Sequence, residues 1–434
     1  MTDPSTQYVQ WFRQSSPYIN AHRDKTFVIM FEGDAILDPN FTHIVQDIAL
    51  LSSLGVRLVL VHGARPQIDG LLEHWQIRSQ FHRDLRITDP MALTAVQAAV
   101  GMVKSDIEAR LSVGLPNSPM HGARIRVISG NFVMAKPLGV IDGVDFQHTG
   151  EVRRIDHQAI KTLLDQRHIV LLSCMGYSPA GDMFNLAVED VATQAAIDLK
   201  ADKLIILGNH SGLHNEQGDT LPELTCAQLE QQQHHYSGEM RAHADASLRA
   251  IRRGVARVHL LSHSDNGALL QELFTREGRG TLISQQAYDH LRAANIEDVA
   301  GILQLLAPLE EQGILVRRSR ELLEQEIQRF YVIERDGLIT ACAALYPYSA
   351  EQAELACVAV HPDYRGSDRG QQLLQQIEKE ARQRHFQQLF VLTTRTAHWF
   401  IERGFVAGDV AELPQERQKL YNFQRNSKVF FKAL

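Results

Sequence analysis

The chain has 434 residues, 44% of them hydrophobic and 22% charged, with a formal net charge of −7. That is a globular composition, too long for one hydrophobic core, so two or perhaps three domains are expected. Interspersed acids and bases leave no electrostatic footprint for nucleic acid or an anionic membrane surface, and no run of about 18 apolar residues offers a membrane span.

The N-terminal stretch MTDPSTQYVQWFRQSSPYI lacks a basic start followed by an apolar run, so no secretory signal is expected and the protein reads as soluble and cytoplasmic. From Thr26 short β-rich runs alternate with longer helical patterns. Strands are predicted at 26–31 (TFVIMF), 56–61, 124–128, 168–173, 203–207 and 257–261, and helices at 40–54, 91–113, 188–200 and 240–253. A turn, His62-Gly63-Ala64-Arg65-Pro66, follows the second strand. This alternation predicts a mainly parallel sheet covered on both faces, in a domain spanning 1–284.

The pattern then restarts in a second domain, 287–434. A strand at 291–294 and helices at 296–309 and 318–329 precede three successive strands at 330–335, 338–345 and 353–360. Asp336-Gly337 is a hairpin signal between the first two of these. A helix at 369–384, a strand at 389–393 and a short helix before Gly404 complete an α+β order. The four cysteines, Cys174, Cys226, Cys342 and Cys357, form no CxxC pair, and none of the 20 histidines sits at zinc-ligand spacing, so no metal is expected.

The segment 354–374, ELACVAVHPDYRGSDRGQQLL, carries the clearest chemistry. A β-rich run ends at His361-Pro362, and Arg365-Gly366-Ser367-Asp368-Arg369-Gly370 leads into an apolar-periodic helix. The unpaired N–H groups of a helix's first turn, with its dipole, favour an anion, and Arg365 and Arg369 add positive charge. A pyrophosphate-bearing cofactor fits that description. A dinucleotide fold does not, because GxGxxG is missing.

The loop resembles the acetyl-CoA loop of the GNAT N-acetyltransferases, Arg/Gln-x-x-Gly-x-Gly/Ala after a strand. Arg365, Asp368 and Gly370 take the three named positions, so an aspartate replaces the usual middle glycine. Trp399-Phe400-x-x-Arg403-Gly404-Phe405 is similar to that family's late FYxxxGF element. Further motifs extend the resemblance over essentially the whole chain: PYINAHRDKTFVIM (17–30), VHGARPQI (61–68), LLQELFTREGRGT (269–281), ILVRRSRE (314–321), ACVAVHPDYR (356–365) and LYNFQRNSKVF (420–430). Together they resemble the bacterial-type N-acetylglutamate synthase family.

The resemblance implies an α/β chain: an N-terminal amino-acid-kinase-like αβα sandwich with a mainly parallel sheet, and a C-terminal α+β GNAT domain. It implies acetyl-CoA as co-substrate, no metal, acetyl transfer to the α-amine of L-glutamate at the start of arginine biosynthesis, and inhibition by L-arginine. It implies a homo-oligomer, with a hexamer favoured, to which the amphipathic segment 8–18 is suited as an arm. Two other readings are a non-catalytic arginine sensor with a decayed transferase domain and an acetyltransferase for another acidic amino acid.

By the same resemblance Glu354 is the general base, acting through a water, and the backbone near Val358 and Val360 supplies the oxyanion donor. Gly366 and Ser367 complete the cofactor loop. Thr393 and Tyr421 are two candidates to protonate the leaving thiolate, with the choice open. Arg317 and Arg425 match glutamate-binding positions, and whether Arg317 or its neighbour Arg318 faces the substrate is also open. Glu272, Gly278 and Gly280 lie in the stretch resembling an arginine site, where a carboxylate would pair with a guanidinium and glycines admit close backbone approach. The first domain keeps the kinase shape without its chemistry. Met30 stands where the kinase needs a lysine, and Glu32 precedes Gly33 where it has a Gly-Gly pair. A carboxylate about 4 Å from a phosphate charge costs roughly 4 kcal/mol at an effective dielectric near 20.

Overall fold

The computed structural model describes residues 4–434 except 84, 115–116, 276–277, 286–288, 336, 365–367 and 423–425. The chain divides into two compact units, 1–287 and 288–434.

In the first unit, helix α1 (Pro4–His22) precedes β1 (Thr26–Phe31), α2 (Phe41–Ser53), β2 (Arg57–His62), α3 (Pro90–Leu111), β3 (Val127–Ser129) and β4 (Ile169–Ser173). Then come α4 (Val188–Leu199), β5 (Lys203–Gly208), β6 (Glu223–Thr225), α5 (Gly238–Arg252), β7 (Arg257–Ser262), α6 (Ala268–Phe274) and β8 (Thr281–Ser284). The eight strands lie in the order β6-β8-β7-β5-β1-β2-β4-β3. All neighbours are parallel except β7 and β8. Alternate side chains of β1 feed two cores. Phe27, Ile29 and Phe31 join Ile48 of α2 and Val96 of α3, while Val28 and Met30 join Val191 of α4 and Leu248 of α5. A strand buried on both faces reads as an unbroken apolar run, which is why TFVIMF was legible.

Several elements were not predicted. The edge strand β6 and a four-stranded side sheet built from Val133–Pro137, Gly150–Ile155, Met175–Tyr177 and Met183–Asn185 consist of short, partly exposed pieces with weak periodicity, and β8, beside β6, is buried but only four residues long. The segment expected as an arm is the 19-residue helix α1. His22, near its end, bonds the Leu273 carbonyl of α6 at 2.8 Å.

In the second unit β9 (His290–Ala293), α7 (Val299–Glu311) and α8 (Arg320–Glu326) precede β10 (Phe330–Arg335), β11 (Leu338–Pro347) and β12 (Gln352–Val360). They are followed by α9 (Arg369–Gln383), β13 (Gln388–Thr393), α10 (Ala397–Ile401), β14 (Val406–Gly408), α11 (Gln415–Lys419) and β15 (Lys428–Ala433). The seven-stranded sheet runs β9-β10-β11-β12-β13-β15-β14. One pair, β12–β13, is parallel, and its register ends at Glu354↔Phe390. Only the first three residues of β12 therefore pair with β13. The cause lies one strand over. The β11–β12 register shifts between Cys342 and Ala344, and Cys357 opposite takes φ 54. A bulge bends its strand and increases local twist, turning the rest of β12 away from β13. Of the predicted hairpin turn, Gly337 has φ 76 and Asp336 lies outside the described residues.

Candidate functional site

The opening between β12 and β13 is a cleft of about 910 Å³. Its walls include Glu354, Val358 and Val360 of β12, Thr393 of β13, and Gly370 of α9. The N–H of His361 donates to Thr340 C=O at 2.8 Å on the β11 side. By strand alternation the N–H groups of Val360 and Val358 turn the other way, toward the edge that β13 has left.

Glu354 is only 7% exposed. Arg417 of α11 donates to both its oxygens, Nε to Oε2 at 2.7 Å and Nη2 to Oε1 at 3.1 Å. Burial alone would lower the Arg417 pKa, but the hydrogen bond and charge of Glu354 raise it above the ordinary value. The guanidinium also lies 5.9 Å from the Tyr348 ring centroid. Burial, then the Glu354 charge, pushes the Tyr348 phenol up. The Cys357 thiol, also on the cleft wall, is pushed up to about 12 by burial against the opposing charge of Arg318, so it stays neutral.

The two adjacent arginines differ in placement. Arg318 lines the cleft, with its guanidinium 5.7 Å from the Tyr346 ring centroid, whereas the expected Arg317 is exposed and away from the lining. Among the described residues no carboxylate lies within ion-pair distance of the Arg318 guanidinium. Arg425 lies outside the described residues. Both hydroxyl candidates reach the cleft. The Tyr421 hydroxyl donates to Ser427 C=O at 2.7 Å, while Thr393 Oγ1 is 2.8 Å from Thr396 Oγ1 and accepts the Thr396 N–H at 3.1 Å.

At the mouth of the cleft, α9 starts at Arg369, with Asp368 as an exposed N-cap whose side chain makes no cap bond. Arg365, Gly366 and Ser367 lie outside the described residues. Arg369 departs from expectation. Its guanidinium is buried, pairs with Asp289 at 2.6 Å and stacks 4.4 Å from the Tyr364 ring centroid, so it anchors the helix start rather than presenting charge to a ligand. A Cβ on Gly370 would stand 3.1 Å from Trp399 Cζ2. The backbone of α9 thus lies directly against the indole, and Trp399 in turn carries Arg403 over its ring at 4.0 Å.

In the first unit Glu272 of α6 is buried. Its Oε1 meets His259 Nδ1 at 2.6 Å, and its Oε2 accepts the N–H groups of Arg279 at 2.6 Å and Gly280 at 3.2 Å. Burial would raise the Glu272 pKa, but His259 and the two amides hold it down at about 2. The carboxylate thus braces its own loop. Gly278 has φ 68, and a Cβ there would fall 2.5 Å from Glu272 Oε2, so the loop closes on the carboxylate only with glycine.

At the C-terminal end of β1, Glu32 Oε1 bonds the buried His243 Nε2 at 3.2 Å, with Glu189 and Glu239 alongside. Burial would lower the His243 pKa, but Glu32, Glu189 and Glu239 raise it, and burial with the Glu32 charge pushes Glu189 up. Ligand atoms of Glu32, Glu189 and His243 lie within 4.8 Å of one another, close enough to hold a cation, although Glu32 and His243 already satisfy each other. Met30 is fully buried in the core.

Residues 25–262 match the amino acid kinase family and residues 326–407 the acetyltransferase (GNAT) domain. An amino-acid acetyltransferase of Pseudomonas syringae pv. syringae is 58% identical over 433 residues, covering 99% of this chain and 100% of its own length. One from Azotobacter vinelandii is 58% identical over 432 residues, covering 98% and 99%. The chain belongs to the amino-acid acetyltransferase family. N-acetylglutamate synthase from Neisseria gonorrhoeae, complexed with coenzyme A and L-arginine, is similar in structure, with a TM-score of 0.89 at 36% identity over 98% of this chain and 99% of that one. The same enzyme complexed with coenzyme A and N-acetyl-glutamate gives a TM-score of 0.64 at 38% identity, over 98% and 99%.

The two strands part to open a cleft, and the carboxylate of Glu354 lies on its lining with Val358 and Val360. Sequence reasoning missed Arg417, whose motif, PQERQK, looks like an ordinary polar helix. It also missed the role of Trp399 in closing the wall beside Gly370.

Proposed function

We propose that the protein is an N-acetylglutamate synthase: it transfers the acetyl group of acetyl-CoA to the α-amine of L-glutamate, the first step of L-arginine biosynthesis, and is inhibited by L-arginine. The observation that carries this reading is the β12–β13 cleft, lined by Glu354 together with Arg318 and Arg417. Glutamate brings two carboxylates and one ammonium, and arginine binds carboxylates with bidentate geometry. The Neisseria relatives bound to coenzyme A, N-acetyl-glutamate and L-arginine support the same assignment.

Acetyl-CoA fits the open edge of β12, with Val358, Val360, Asp368 and Gly370 along its path. When bound it supplies the activated acyl group. Glu354 takes a proton from the glutamate ammonium through a water, which makes the amine nucleophilic. The N–H groups of Val358 and Val360 donate to the acyl oxygen as charge builds on it. A hydroxyl then returns a proton to sulfur. Thr393 suits this better than Tyr421, because its bond to the Thr396 hydroxyl can reverse, whereas Tyr421 commits its proton to a carbonyl.

The arginine site is assigned to the α6–β8 loop around Glu272, Gly278 and Gly280. A guanidinium binding there takes over donors' places now held by His259 and the loop amides. The carboxylates converging at Glu32 oppose a triphosphate, so this domain is a regulatory module rather than a kinase. Assembly into a homo-oligomer through α1, with Tyr8, Trp11 and Phe12 exposed, belongs to the same proposal.

The test is release of free CoA by purified protein with L-glutamate against other amino acids. A preference for glutamate, suppressed by L-arginine, is the expected result. Equal rates with all amines, or none with glutamate, would overturn the assignment.

A further inference from the structure

Arg417 lines the cleft and is at the same time bonded to the proposed base. Its guanidinium and the Glu354 carboxylate form a two-bond ion pair, with 15% and 9% of their side chains exposed. Both oxygens of the proposed base are therefore held by a cation. A carboxylate in that state is a poor proton acceptor, because taking a proton would break the charge pairing and leave a buried guanidinium uncompensated. Glu354 can take up a proton only once Arg417 has moved off it.

Charge matching indicates what changes the pairing. Among the described residues the cleft lining carries Glu354 and three arginines, of which Arg395 is exposed while Arg318 and Arg417 are half-buried around the carboxylate's side of the cleft. Glutamate carries two carboxylates and one ammonium, a net of one negative charge. Its two carboxylates match Arg318 and Arg417, and its ammonium matches Glu354. Arg318 has no carboxylate within ion-pair distance among the described residues and takes one substrate carboxylate. Arg417 leaves Glu354 for the other, and Glu354 turns to the ammonium.

We infer that Arg417 is a positioning residue that couples recognition of a substrate carboxylate to release of Glu354 as the base. The inference rests on the glutamate reading above. No bond to carbon forms or breaks in the exchange. Arg417 stays protonated throughout, and the one proton that moves passes from the substrate ammonium to Glu354. An amine without the second carboxylate leaves Arg417 on Glu354 and so fails twice, in binding and in deprotonation. Selectivity is thereby written into the rate of the chemical step as well as into affinity. The short helix α11, five residues long, suits a side chain that changes partners, since it carries Arg417 on a small element rather than in the sheet.

The experiment compares kcat and KM for L-glutamate and L-glutamine, which differ in the side-chain carboxylate, in wild type, Arg417→Gln and Arg417→Lys. Wild type should favour glutamate in both constants. Arg417→Gln should lose roughly 10- to 100-fold of that discrimination, as expected for a lost charged hydrogen bond, and Arg417→Lys should recover part of it. Glutamate-to-glutamine discrimination unchanged in Arg417→Gln, with kcat reduced equally for both, would make Arg417 a brace for Glu354 and overturn the exchange. A second measurement needs no variant: a structure of the wild-type protein with CoA and N-acetylglutamate. Arg417 should be found on a ligand carboxylate and off Glu354, and an intact Arg417–Glu354 pair there overturns the inference even if the variants fail to fold. Wild type that acetylates glutamate no better than glutamine would instead refute the glutamate reading itself.

Discussion

His259 and Glu272 meet at 2.6 Å in the interior of the first unit, and the other carboxylate oxygen gathers the Arg279 and Gly280 amides of the following loop. One side chain thus joins strand β7, helix α6 and the turn before β8. A ligand that competes for this carboxylate must rearrange the loop, which gives an inhibitor a structural lever.

Glu272→Gln keeps an oxygen for the loop amides and loses the charge that a guanidinium needs. The concentration of L-arginine giving half inhibition should rise about tenfold or more, the usual scale for a charged hydrogen bond. It is read from CoA release at fixed glutamate over a range of arginine concentrations. A Glu272→Gln protein as arginine-sensitive as wild type would place the inhibitor elsewhere. Arginine shifts activity only if it prefers one of two states of the protein, so its affinity should fall by the same factor by which it weakens substrate binding.

Asp47, on α2, is pushed up to about 7 by burial alone. Its folded pKa lies above the unfolded value of 3.8, so the folded state prefers the protonated acid. The stability this gives is fully present below pH 3.8 and is lost as pH rises through 7. Asp47→Asn removes the charge, so it should stabilise the protein above pH 7 by up to about 4 kcal/mol, with the gain vanishing near pH 4. Thermal denaturation of both proteins between pH 4 and 8 checks this, and a pH-independent difference would refute it. The histidines act oppositely. His22 and His62, each lowered to about 4 chiefly by burial, favour the neutral form and give stability that is lost as pH falls from 6.5 toward 4.

The parallel sheet was legible because its strands are buried on both faces, and the cleft because a strand, turn and helix follow one another at 354–374. Illegible features were those set by distant partners. Arg417 and Glu354 are 63 residues apart. Arg369 sits in a loop motif that suggests phosphate contact, yet Asp289 and Tyr364 claim its guanidinium. The pair Arg317-Arg318 has the same composition whichever side faces inward, and only the path of the chain into α8 selects Arg318. Strand β15 follows a polar stretch and earns its place beside β13 through six paired residues that local periodicity does not announce.

Glu354→Gln should lower kcat on the order of 10²- to 10⁴-fold, the usual contribution of a general base, with acetyl-CoA affinity nearly intact. The amide cannot accept the ammonium proton, and it also weakens the hold on Arg417. What remains is the reaction of amine already neutral in solution, so the residual rate should rise with pH only as that fraction grows, without the contribution of a protein base. Steady-state kinetics with a separate CoA-binding measurement distinguishes the two effects. Wild-type kcat in a folded Glu354→Gln protein would transfer the role to another group.

Asp368→Gly and Gly370→Glu should act in opposite directions on acetyl-CoA. Asp368 is exposed at the start of α9 and its side chain makes no cap bond, so its removal costs the helix only a few tenths of a kcal/mol. It also removes a negative charge near the N–H groups where a pyrophosphate is expected, so affinity should be equal to wild type or better. Gly370→Glu adds a carboxylate to the same helix end, and its Cβ would press on Trp399 at 3.1 Å. Charge and space then oppose the ligand together, and affinity should collapse. Gly370→Ala separates the two, since it introduces the Cβ without the charge: a modest loss there with a large loss for Gly370→Glu assigns the effect to electrostatics. Equal large losses assign it to displacement of the indole. Titration of CoA by calorimetry on all four proteins reads the result, and undiminished binding by Gly370→Glu would put the pyrophosphate away from α9 altogether.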